Sequence, residues 1–562
     1  MIRFGTTLSL LVSLAIVSEA AVSVSVPPRP NVVLILADDL GFSDLGCQGG
    51  EIATPNLDAL AAGGVRFTQF YNATRCCPSR ASLMTGLYPH QAGVGGMNND
   101  EGVPGYRGFL QPNSVTLAEV LRSAGYQTFL SGKWHLTLGG DRPSPGPLDR
   151  GFDEFYGFIK PYGVNCWKED AFTRLPEGRP RRRYPAGTFF ATDAITDYAL
   201  DFLSQARTTQ RPYFLYVAYN APHFPLHAHP EDIAKYKDIY NKGWDEIRNE
   251  RYARMTRLGL IDERWPLTPR SAFQGGAGNT RSGVNPAWDR LDADRQADLA
   301  RRMAIYAAMV DRMDRQIGRI VDDLRRHGEL NNTLILFLSD NGACAEWDPI
   351  GFDIRSGPDN ILHTGADLDR MGGPDTYHSY GSGWANASNT PFRLYKHYTH
   401  EGGIATPLIA HWPGGIPARG ELRDQVGHIV DIMSTLVELS GATYPERFQG
   451  HAITPMEGRS LVPAFANQPL PREYLAWEHE GNRALRAGRW KIVARQGQPW
   501  ELYDLKSDRT ETRDLAGSQP ERVERMARLW ESWAERCQVR PGPTPRATRE
   551  AAKPSERVPP GP

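Results

Sequence analysis

Asn31-Val32-Val33-Leu34-Ile35-Leu36-Ala37 is an unbroken apolar run that stops at Asp38-Asp39. A run without polar alternation suits a strand covered on both faces, as in a parallel sheet. Two further runs share the design. Pro212-Tyr213-Phe214-Leu215-Tyr216-Val217-Ala218 leads into Asn220-Ala221-Pro222-His223, and Thr333-Leu334-Ile335-Leu336-Phe337-Leu338 ends in Ser339-Asp340-Asn341-Gly342. A shorter one, Tyr126-Gln127-Thr128-Phe129-Leu130, precedes Gly132-Lys133-Trp134-His135. Buried strands that each end in chemically capable residues predict an open α/β sheet, with ligands bound beyond the carboxyl ends of the strands. The fold class is therefore α/β: a large mixed, mostly parallel sheet sandwiched by helices.

Outward from these strands, helices are expected over 115–124, over 193–205 with Thr192 as N-cap, and over 304–326. In the last, Ile305, Met309, Met313, Ile317, Ile320 and Leu324 recur at helical spacing, the pattern of a helix packed on a sheet. Residues 234–300 and 351–389 read as irregular, the former as an insertion walling a pocket. Past Leu439, short strand patterns at 475–477, 490–494 and 501–505 precede a helix over 521–536. They predict a smaller C-terminal α+β domain carrying an antiparallel sheet. The expected division is a catalytic domain over 28–440, this subdomain over 441–540, and a Pro-rich disordered tail over 541–562.

Met1-Ile2-Arg3, an apolar run from Phe4 to Val17 and small residues at Ala20-Ala21 have the layout of a signal peptide over 1–21. Export follows as an expectation, to the periplasm or outside the cell. No later stretch reaches spanning length without charges, so no membrane span is expected in the mature chain. A chain of 562 residues exceeds one compact core, and a net charge of −1 argues against a nucleic-acid partner. Six cysteines give no readable disulfide framework, leaving one or two bridges open.

The chemistry concentrates in Arg75-Cys76-Cys77-Pro78-Ser79-Arg80-Ala81-Ser82-Leu83-Met84-Thr85-Gly86. Pro78 suits the first turn of a helix, which sets Cys76 where backbone N–H groups favour an anion and activate a nucleophile. Asp38, Asp39, Asp340 and Asn341 form an oxygen-only set on two strand ends, a set that selects calcium or magnesium over zinc. Cations come from Arg80, from Lys133 with His135 nearby, and from Lys396 in Pro391-Phe392-Arg393-Leu394-Tyr395-Lys396. Three aspartates, three cations and a divalent ion make a pocket of about +2, suited to an anion.

Cys76-x-Pro78-x-Arg80 followed by Thr85-Gly86 resembles the signature of type I sulfatases, the arylsulfatase-like branch of the alkaline phosphatase superfamily. Gly132-Lys133-Trp134-His135, Ala221-Pro222-His223-Phe224-Pro225 and Pro391-Phe392-Arg393-x-x-Lys396 follow in that family's order. The likeness covers about 31–413 and, more loosely, the C-terminal part, where Glu457-Gly458-Arg459-Ser460-Leu461 is similar to a family segment.

The resemblance implies a sulfuric ester hydrolase. It implies that Cys76 is oxidised to formylglycine by a formylglycine-generating or anaerobic maturation enzyme. The aldehyde hydrate is then the nucleophile and, with Asp38, Asp39, Asp340 and Asn341, a ligand of one Ca2+, for which Mg2+ can stand in. Arg80 activates that nucleophile, and Lys133 and Lys396 hold sulfate oxygens. His223, with Lys396 nearby, protonates the leaving alcohol, and His135 takes the proton from the second hydroxyl so that sulfate departs. Cys77 departs from the family pattern, where many members carry a small polar residue. Conversion is assigned to Cys76 because only it has Pro two and Arg four positions later.

Two rivals stand beside this reading. One is a phosphoester or phosphonate hydrolase of the same superfamily, whose dianionic substrate the pocket also tolerates. The other is an unconverted pseudoenzyme that binds sulfated glycans. A sulfated glycan is the expected substrate, from export, from Trp167, Trp244, Trp265, Trp288 and Trp384 in loops that can stack on sugars, and from Arg179, Arg181, Arg182 and Arg183, which can meet further sulfates.

Overall fold

The computed structural model describes residues 29–540, except 141, 161 and 276–279. The expected signal peptide and the expected tail lie outside the described residues. The three apolar runs form adjacent parallel strands, Tyr213–Ala218, Asn31–Ala37 and Thr333–Ser339, at the middle of a ten-stranded sheet. Gln127–Lys133 and Glu154–Phe158 extend it in parallel on one side, and Thr173–Leu175 closes that edge antiparallel. On the other side Ala405–His411 runs antiparallel between Thr333–Ser339 and Val65–Tyr71.

Both faces are covered, which explains the missing polar alternation. Val33, Ile35 and Ala37 belong to one core, shared with the helices Pro55–Ala62, Ala191–Ala206 and Ala293–Arg326. Val32, Leu34 and Leu36 face the opposite core, with the helices Cys76–Thr85, Leu117–Ser123 and Asp431–Ser440. Alternate residues of a strand point to opposite faces, so a strand buried twice must be apolar throughout.

Several boundaries differ from the sequence reading. The long helix starts at Ala293, because the Asp292 side chain accepts from Arg295 N and caps it there. The helix expected with Thr192 as its cap begins at Ala191 instead, whose N–H is satisfied by the Cys166 carbonyl at 2.7 Å. Residues 234–300 are not irregular throughout, since Gly243–Arg257 is a helix. Its inward face carries Arg248 and Arg251 between Trp244, Ile247 and Met255, so apolar periodicity is weak. Likewise Gly381–Ser388 is helical and wholly buried inside the second stretch, built from Gly, Ser and Asn that do not announce a helix. Trp244, Trp288 and Trp384 are not loop residues open to a sugar. They pack edge-on against one another in the core.

The antiparallel sheet of the C-terminal part comprises Leu475–His479, Asn482–Ala487, Trp490–Ala494 and Glu501–Asp504, with the helix Pro520–Arg536 against it. Upstream, Ile453, Leu461, Ala464 and Phe465 pack into the core of the large sheet. All six cysteines are unbridged. No helix among the described residues is long and apolar enough to cross a membrane.

Candidate active site at the carboxyl edge of the sheet

Strand register brings the acidic pairs together. Ala37 lies opposite Ser339 and Leu36 opposite Ala218, so Asp38-Asp39, Asp340-Asn341 and the 219–223 turn leave the sheet side by side. Asp340 N donates to Ala37 O, and Asp38 N to Ala221 O. Gln127–Lys133 is the neighbouring strand and runs three residues further than its apolar part, so Lys133 is its last residue. Gly132 holds a φ of +119°, and a Cβ there would lie 1.9 Å from Ala218 O, so only glycine lets the strand pass.

Cys76 begins the helix Cys76–Thr85, all ten residues of which are buried. No side chain caps its N-terminus, which leaves backbone donors at Cys76 for an anion. Gly86 ends it in the left-handed region, and a Cβ there would meet Met433 Cβ at 2.6 Å. The Thr85-Gly86 pair is thus a stop signal set by packing.

The predicted residues converge, and none is more than 2% exposed. Each aspartate faces a cation. Lys133 Nζ donates to Asp38 Oδ2 at 2.6 Å, Lys396 Nζ to Asp39 Oδ2 at 3.0 Å, and Arg80 Nε and Nη2 to Asp340 Oδ2 at 3.0 and 2.8 Å. Asn341 Nδ2 donates to Asp39 Oδ1 at 2.6 Å. His223 Nδ1 lies 2.5 Å from Phe224 O, which leaves Nε2 pointing at Asp39 Oδ2, 3.5 Å away. His135 lies beside the Cys76 and Cys77 thiols. Asp39 and His135 both hold positive φ, 68° and 58°, uncommon for non-glycine residues and often seen at functional sites.

Electrostatics favour an anionic Cys76 thiol and a neutral His135 ring. The Cys77 thiol beside it, with Lys133 and His135, holds Cys76 well below the usual thiol range, while burial pushes Cys77 up. Burial, helped by Lys133, lowers His135 to about 4, so its ring is neutral at neutral pH. Burial works against ionised Asp38, yet Lys133, His223 and Arg80 bring it to about 2.

Several buried polar atoms here lack a hydrogen bond among the described residues: Asp38 Oδ1, Asn341 Oδ1 and both ring nitrogens of His135. Buried groups are normally satisfied, so orphans gathered at one point mark where a ligand belongs. The two orphan oxygens, with the carboxylates of Asp39 and Asp340, fit a hard divalent cation. A divalent ion on these carboxylates would leave Arg80, Lys133 and Lys396 in charge excess, as an anionic substrate requires.

Two neighbours escaped the sequence reading. Glu346 is buried, 3.5 Å from Lys396 Nζ and 3.1 Å from His397 Nε2. The Tyr162 carbonyl accepts from Lys133 Nζ at 2.6 Å. Neither sits in a recurring pattern, so no sequence signal marked them.

A twisted α/β sheet with a cationic pocket at its strand ends defines an enzyme that acts on an anionic ester. The family described as Sulfatase matches residues 30–442, and that described as N-sulphoglucosamine sulphohydrolase, C-terminal, matches 392–537. The chain belongs to the sulfatase family. It is 34% identical over 531 residues to an uncharacterised sulfatase of Schizosaccharomyces pombe, covering 89% of this chain and 93% of that protein. It is also 34% identical over 447 residues to the arylsulfatase of Klebsiella aerogenes, covering 77% and 91%. Among solved structures it is similar to Ps i-CgsB in complex with k-i-k-neocarrahexaose, with a TM-score of 0.64, 27% identity, and 92% and 94% of the two chains covered. It is an enzyme acting on sulfate esters.

Proposed function

We propose that this sulfatase removes sulfate from a carbohydrate ester, using formylglycine made from Cys76 and a calcium ion held by Asp38, Asp39, Asp340 and Asn341. The observation that carries the reading is the meeting of an oxygen-only acidic set, three cations and two buried histidines around Cys76. The carbohydrate part is supported by the saccharide complex of the structurally similar protein. When present, the ion supplies Lewis-acid polarisation and the aldehyde hydrate supplies a nucleophilic hydroxyl plus a second one for regeneration.

The chain's own residues do the rest. Arg80 fixes Asp340 and faces the nucleophile's side of the pocket, so negative charge can build there. Lys133 and Lys396 hold two sulfate oxygens, each already positioned by an aspartate. His223 Nε2 carries the proton to the leaving alcohol oxygen. His135, neutral and beside the Cys76 thiol, accepts the proton released on the Cys76 side. Burial keeps bulk water from the sulfur.

The test is hydrolysis of 4-nitrophenyl sulfate and of sulfated saccharides, with peptide mass read at position 76. Expected is turnover that tracks the aldehyde, is abolished by chelation, and returns with calcium or magnesium better than with zinc. Full turnover in verified metal-free protein would remove the assignment of the four oxygen ligands.

A further inference from the structure

Beside the site a cleft of about 580 Å³ opens between the large sheet and the C-terminal one. Lys396, His397 and Glu346 line it on one side, and Glu480, Arg495 and Gln498 on the other. Lys396 belongs to both, so the cleft adjoins the site and offers room for the group attached to a sulfate held there. That volume is in the range of pockets that enclose a whole small ligand.

The charges of its walls are almost all spoken for. Glu346 accepts from His397 and faces Lys396. Glu480 pairs with Arg75 and with His397 Nδ1 at 2.9 Å. Glu478 is held by His90, Tyr106 and Gly481 N, and Glu101 by Arg540. Arg495 is the exception. It follows the strand Trp490–Ala494 and takes part in no ion pair and no side-chain hydrogen bond found among the described residues, and its Nε is buried without a partner. Tyr398 lines the same cleft. A planar guanidinium with free donors is built for a carboxylate or sulfate. Beside it, the Gln496 and Gln498 side chains also line the cleft and suit sugar hydroxyls.

We propose that Arg495 is a specificity residue that reads a second anionic group, a sulfate or a carboxylate, on the alcohol part of the ester. This rests on the sulfate-ester reading of the strand-end site and adds a substrate class to it: saccharides with at least two negative charges. The carboxylates on both walls already have partners, and Arg495 is the lining cation without an ion pair among the described residues, so the second charge has one place to go.

Three synthetic disaccharide sulfates on one backbone test it: one with a single sulfate, one with two, and one with a sulfate plus a uronate carboxylate. Their affinity is read as inhibition of 4-nitrophenyl sulfate turnover, and by calorimetry on Cys76→Ser protein. Calorimetry returns an answer on Arg495 even if turnover is absent, an outcome that would count against the sulfatase reading alone. Expected is at least about tenfold tighter binding of one or both doubly charged probes than of the single sulfate. That advantage should fall below about twofold in Arg495→Gln and be partly kept in Arg495→Lys, with unchanged melting temperatures. Preference for the disulfate assigns a sulfate to Arg495, and preference for the uronate a carboxylate. Equal binding of all three probes to the parent chain, or an advantage that survives Arg495→Gln, overturns the proposal.

Discussion

At the scale of single residues, the two adjacent thiols carry opposite roles. Cys77 is buried as part of one core, with its thiol beside those of Cys76 and the His135 ring, whereas Cys76 lies at the uncapped helix start, where the Cys77 thiol, Lys133 and His135 favour its anion. Cys76→Ser should therefore fold with an unchanged melting temperature and lose turnover by about a thousandfold or more, since a lone hydroxyl cannot regenerate itself. Cys77→Ser should keep turnover and lose about 1–3 kcal/mol of stability, because a hydroxyl is buried among apolar groups. Urea titration and steady-state rates check both, and equal loss of turnover would show that the register of conversion is wrong. The histidines divide similarly. His135→Ala should lower kcat by about 10²–10⁴-fold. Rapid-quench assays should then give a burst of alcohol with sulfate retained on the protein. His223→Ala should slow alcohol release itself, and the reverse pattern would exchange the two roles.

At the scale of elements, the join between the two sheets is a buried charge network. Lys491 reaches Glu401 at 3.0 Å and Glu511 at 2.7 Å, Arg509 reaches Glu401 at 2.9 Å, and the Tyr71 hydroxyl donates to Glu401. Lys491→Met leaves two carboxylates short of a partner and should cost about 3–5 kcal/mol, loosening the C-terminal sheet first. Hydrogen exchange should show protection lost over 475–504 before the central strands, and uniform loss would contradict a separable join. This network also marks the limit of what the sequence discloses. The central strands were legible because burial on two faces forces unbroken apolar runs, and the acidic pairs because they terminate those runs. The Gly243–Arg257 helix was not, since buried arginines such as Arg251, paired to Asp44 and Glu51, take the positions where apolar residues would repeat. Lys491 and Glu401 are ninety residues apart, and neither carries a pattern. Glu346 and Arg495 were missed for the same reason: their meaning lies in what faces them across the cleft.

At the scale of the whole molecule, acid should unfold the chain in a way its buried histidines set. Burial lowers His227, His411 and His479 to about 4 and His428 to about 3, so all four are neutral when folded at pH 6. Their unfolded values lie near 6.5. The unfolded chain therefore binds more protons than the native one between about pH 6.5 and 4, and stability falls as pH falls through that window. Below about 4.5 the carboxylates continue the trend. Burial opposes the charge on Glu401, but Lys491 and Arg509 hold it at about 2, so its stabilising contribution is lost toward that pH. Asp314 works the other way. Burial raises it to about 6, against the hydrogen bonds it accepts from Leu57 N and Asn56, so protonating it favours the native state as pH falls from 6 to 4. Four histidines outweigh Asp314, and with a saturating divalent ion to keep the strand-end aspartates, Asp340 among them, ionised, the melting temperature should fall steadily from pH 7 to pH 4. Asp314→Asn keeps an acceptor for Leu57 N and removes the opposing titration, so its melting temperature should drop more steeply over pH 6 to 4 than the parent's. Scanning calorimetry across that range decides the matter: parallel curves for the two proteins would mean that Asp314 does not titrate there, and a flat parent curve would mean that the histidines do not.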